Sequence, residues 1–73
     1  MVEHTAVNVA VDEEHREACD EVAGELRAAG MNVTETLHNL GIVVGWVAPG
    51  GVERLRDVRG VLAVEASREV RTA

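Results

Sequence analysis

Lysine, phenylalanine and tyrosine are absent from this 73-residue chain, and Ser67, Cys19, Pro49 and Trp46 are each the only residue of their kind. Without lysine, Schiff-base catalysis is closed to it. Serine catalysis has only Ser67 to rest on. A single thiol cannot form an internal disulfide and suits a reducing compartment. Cations are few as well: seven arginines stand against thirteen acids, for a net charge of -6. That balance argues against nucleic acid, whose phosphates call for clustered positive charge. No apolar run approaches a membrane span. The start, Met1-Val2-Glu3-His4, lacks the basic and apolar segments of a secretory signal, so a cytoplasmic protein is expected, although a processed fragment would read the same way. With aromatics at 1%, the core has to be built from valine, alanine and leucine. A domain this small, with no disulfide, gains from a bound partner.

What is present is organised. Thr5, Val7, Val9 and Val11 alternate with His4, Ala6, Asn8 and Ala10, which predicts a strand with one buried face. Asp12 stands at a helix N-cap position, followed by Glu13, Glu14 and Glu17 in the first turns. Cys19, Val22, Ala23, Leu26 and Ala29 then recur at helical spacing, and Gly30 is placed for a left-handed cap, which predicts a helix over 13–29. An extended segment follows from Met31, with Val33, Glu35 and Leu37 alternating with Asn32, Thr34 and Thr36. His38-Asn39-Leu40-Gly41 reads as a turn and 42–47 as an apolar strand, in which Gly45 marks a bulge or a close backbone approach. A short helix over about 51–58 and a last strand from Val61 to Glu65 complete the pattern.

The order is β-α-β-β-α-β. It predicts an α+β, ferredoxin-like domain over residues 1–66: a four-stranded antiparallel sheet with two helices on one face. Residues 67–73 are expected to form an extended C-terminal tail. The uncovered sheet face is expected to be small and polar, with Ala6, Asn8, Thr34 and Thr36.

Each candidate site has a plainer competitor. His15 and Cys19 lie one helical turn apart, yet no Cys-x-x-Cys completes a metal site, so the expectation is an edge histidine beside a buried thiol and no metal or other cofactor. The acids Glu13, Glu14, Glu17, Asp20, Glu21 and Glu25 read as a solvated helix surface. Trp46 reads as the one large core residue, beside Ile42 and Val44, with an interface anchor as its alternative. Gly50-Gly51 reads as a turn rather than a phosphate loop, since no Walker or Rossmann spacing surrounds it. His4, His38 and Glu35 are the only acid–base set available, and a non-enzymatic protein is expected.

Val33-Thr34-Glu35, Gly45-Trp46-Val47-Ala48, Val52 to Leu55 and Gly60-Val61-Leu62-Ala63-Val64-Glu65 follow one another in an order and spacing that resembles the inhibitor I9 family. That family comprises subtilisin propeptides and small free-standing proteinase inhibitors, and the resemblance covers nearly the whole chain. It implies a sheet face packed on two surface helices of a subtilisin-like serine protease, with the last residues lying in the substrate groove. By motif, Glu65 is the acid that caps protease helix N-termini. Ser67 stands where relatives often carry a second acid, and so brings a cap without charge. The same match puts Ala73 at P1, Thr72 at P2, Arg71 at P3 and Val70 at an apolar P4. The resemblance therefore implies a protease inhibitor or propeptide-like chaperone. The alternative is a non-inhibitory interaction module of the same fold, with a homodimer through the open sheet as one form.

Overall fold

A computed structural model describes the backbone of residues 2–72 and the side chains of residues 4–66. In chain order these are β1 (Val2–Val11), a 3-10 stretch (Glu13–Ala18), α1 (Cys19–Ala28), β2 (Asn32–Leu37), β3 (Ile42–Val47), α2 (Val52–Arg56) and β4 (Val61–Thr72). The strands form one antiparallel sheet in the order β2-β3-β1-β4. Because β3 is antiparallel to both β1 and β2, those two run parallel with β3 between them.

Alternation in β1 turns Val7, Val9 and Val11 to one side, where they meet Val43 and Val47 of β3. Helix α1 adds Cys19, Val22, Ala23 and Leu26, and α2 adds Leu55. One cluster thus holds both helices on the same sheet face, giving an α+β domain. Each fully buried valine or leucine contributes roughly 1.5–3 kcal/mol, and no aromatic ring takes part.

The helix ends follow from local chemistry. Asp12 caps the 3-10 stretch, its carboxylate accepting the His15 N–H at 2.9 Å. At the far end Gly30 adopts φ 104°, donating to the Arg27 carbonyl while Met31 N–H donates to Leu26. This is the Schellman arrangement, closed by the apolar pair Met31 and Leu26, both in the core.

Four features depart from the sequence expectation. The predicted helix over 13–29 is divided, with 3-10 geometry through Ala18. No residue of that stretch is buried, so tertiary packing begins to hold α geometry only at Cys19. The last strand does not stop at Glu65. Main-chain pairing continues to Thr72 opposite Val2, so residues 67–72, expected as a tail, extend the sheet edge along β1. Trp46 is not a core residue: it pairs with Ala6 on the uncovered face, while the buried side of β3 is Val43, Gly45 and Val47. Finally, a register shift between Val33 and Glu35 reverses the phase of β2. Thr36 consequently pairs with buried Val43, and it is Glu35 and Leu37 that join the open face.

Gly45 explains that shift. A Cβ on Gly45 would overlap the Asn32 carbonyl and press on the Met31 side chain. Of the two alternatives expected at this glycine the close approach is present, and the bulge lies opposite it, in β2.

Candidate functional site

The face away from the helices is built in rows, because directly paired residues share a side of the sheet. One row reads Leu37, Ile42, Ala10, Ala63 across β2, β3, β1 and β4. The next reads Glu35, Val44, Asn8, Glu65. A third holds Asn32, Trp46 and Ala6. The His4 ring lies against Trp46, centroids 4.9 Å apart and planes inclined by 43°.

Ile42, Val44 and Trp46 therefore form a half-buried apolar band along a central strand, with small Ala6 and Ala10 beside it on β1. The alanines leave the band standing proud, so it is accessible to a flat apolar partner. Glu35 and Glu65 are exposed and flank the band on the two edge strands. Three inter-strand steps of about 4.8 Å separate them, which is about 14 Å. Among the described side chains this face carries no arginine: Arg16, Arg27, Arg54, Arg56 and Arg59 belong to the helical segments and the loop after α2.

The motif residues fall as follows. Glu65 lies on the open face, paired with Asn8. Ser67, Val70, Arg71 and Thr72 belong to β4, whose register sets Val70 opposite His4, Arg71 opposite Glu3 and Thr72 opposite Val2. Their side chains, and Ala73 altogether, lie outside the described residues.

The remaining candidates are dispersed. His15 is bound through Nδ1 to Asp12 at 2.6 Å. The carboxylate only accepts, so Nδ1 carries the proton. That bond, helped by the His15 backbone N–H, holds the Asp12 carboxyl below its ordinary value. Cys19 is sealed in the core, where burial pushes its thiol up, reinforced by neighbouring Asp20. Among the described residues no group of three or more histidines, cysteines or acids could hold a metal ion. His38 pairs with Asp20 at 2.8 Å and His4 stacks on Trp46, so His4, His38 and Glu35 do not converge. Gly50 and Gly51 make a turn in which Gly51 N–H donates to the Ala48 carbonyl. A depression of 280 Å³ between α1 and the loop before β4 gathers His15, Glu21, Glu25 and Arg59 without a nucleophile.

Reading the sequence alone put Glu35 in an acid–base set rather than on the open face, and placed Trp46 in the core. The usable signal was Gly45, which belongs on the crowded side of β3 and so sends Ile42, Val44 and Trp46 to the other. Among the described residues no helix is long and apolar enough to cross a membrane. No protein-family model, curated protein or solved structure matches the chain.

Proposed function

We propose that this chain is an inhibitor or propeptide-like chaperone of a subtilisin-like serine protease, docking through its open sheet face. One observation carries the reading: the only tryptophan lies on a sheet face that no described helix or loop covers, within a band of Ile42 and Val44. A small domain exposing its one large aromatic in this way has the makings of an interface anchor. The element order and the strand order β2-β3-β1-β4 support a ferredoxin-like fold for it. Glu65, exposed at the edge of that face, is available to cap positive helix ends on the protease.

The C-terminal residues Val70 to Ala73 are the proposed occupants of the substrate groove. Val70, Arg71 and Thr72 are paired with the start of β1, so entry into a groove exchanges those main-chain bonds for equivalent ones with the protease. The exchange is close to balanced in hydrogen bonds and leaves the core untouched.

The test is a titration of subtilisin activity with the intact chain and with a version ending at Glu69. The intact chain inhibits and the shortened one is weaker. Inhibition by neither sinks the protease reading, and equal inhibition by both removes the tail from it.

A further inference from the structure

Glu35 and Glu65 occupy the two ends of a single cross-strand row, with Val44 and Asn8 between them. They sit on the two edge strands, so the row spans the full width of the sheet. The neighbouring row of Leu37, Ile42, Ala10 and Ala63 is apolar throughout. Both acids are exposed, and neither has an ion-pair partner among the described residues. Of the other described acids, Asp12, Asp20 and Glu53 each hold a histidine or arginine, and the remaining six lie on or beside the helical segments, away from this face. The open face therefore offers, on either side of an apolar strip, two carboxylates with no ion-pair partner among the described residues.

We infer that this face selects a folded protein surface bearing an apolar strip between two positive centres about 14 Å apart, with Glu35 meeting one and Glu65 the other. The centres are arginine or lysine side chains, or the N-terminal ends of helices. The inference rests on the open face being the docking surface proposed above, and adds Glu35 as a determinant of partner choice. It also disfavours a second copy of this chain as the occupant. Two copies face to face would border their interface with four carboxylates and, among the described side chains, no cation. Like charges facing across an interface oppose association.

A plainer role for Glu35 is protection of an edge strand against unwanted pairing. Binding separates the two. Subtilisin is titrated at low and high salt with the wild type, Glu35→Gln, Glu65→Gln, the double variant and the α1 control Glu21→Gln. Each face variant weakens inhibition about two- to fivefold at low salt, and the double variant flattens the salt dependence, as rim charges do. The control matches the wild type. Inhibition by Glu35→Gln equal to that of the wild type overturns the inference while leaving the docking face in place.

Should subtilisin not bind, the protease reading fails and a second probe decides. It is a synthetic helical peptide with leucine along one face and, bordering that face, arginines eleven residues apart, which is three turns and about 16.5 Å along the axis, within reach of both carboxylates through their long side chains. Trp46 emission reports occupancy. A response to this peptide that is lost in Glu35→Gln, and lost when its arginines become glutamates, supports the inference. An equal response to both peptides, or none to either, overturns it.

Discussion

Gly45 shows how one missing atom organises this sheet. It sits between buried Val43 and Val47, and the space its side chain would take is filled by the backbone at Asn32 and the tip of Met31. Gly45→Ala forces β2 away from β3 and is expected to cost about 3 kcal/mol, the upper end of overpacking effects, read as a lower midpoint in urea. Asp12 acts through charge. Its carboxyl lies below the reference value of 3.8 because His15 donates to it from both ring and backbone. A carboxyl lowered in the folded state adds stability that is complete above its unfolded value and lost as pH falls through the folded one. The melting-temperature gap between wild type and Asp12→Ala should be constant above about pH 5 and close as the solution is acidified below that. At this scale much was legible: Asp12, Gly30 and Gly45 each declared their roles by residue type and position. Trp46 did not, because period-two alternation says which residues share a face but not which face the helices will cover.

The elements differ in how far they stand alone. Helix α2 has five residues, far too few for an isolated helix, and is tied to the core by Leu55, which has no exposed surface. Leu55→Ala should cost about 2–5 kcal/mol by chemical denaturation. Its far-UV signal should also show loss of helix at denaturant concentrations where the wild type is intact. The 3-10 stretch was read as α-helix because acids and a cap announce a helix start, while nothing in them reports that Glu13 to Ala18 lacks a buried face. Strand β4 was legible to Glu65 and not beyond. Its pairing with β1 changes register between the Val7–Ala66 and Thr5–Glu69 pairs, so alternation breaks there, and the charged residues that follow carry no core signal. A similar shift hid Glu35: one bulge in β2 turned it and Leu37 onto the open face, against the expected set of Thr34 and Thr36.

For the whole molecule, the order of elements was readable because each segment has its own periodicity and each boundary its glycine, proline or cap. The two-sided character of the sheet was not. Val7, Val9, Val11, Leu26 and Leu55 satisfy the helix-covered side completely, leaving Ile42, Val44 and Trp46 as apolar surface with no internal use. That surplus, flanked by Glu35 and Glu65, is what turns a small acidic domain into a candidate binding module. Trp46 is the sharpest probe of the open face as an interface, because the core does not depend on it. The deciding measurement is inhibition of subtilisin by wild type and Trp46→Ala, with circular dichroism run on both. Trp46→Ala is expected to keep its fold and bind about 30-fold more weakly, as the loss of an anchor worth about 2 kcal/mol requires. A folded Trp46→Ala chain that inhibits as well as the wild type, or a wild type that does not inhibit at all, would contradict docking of the protease through this face.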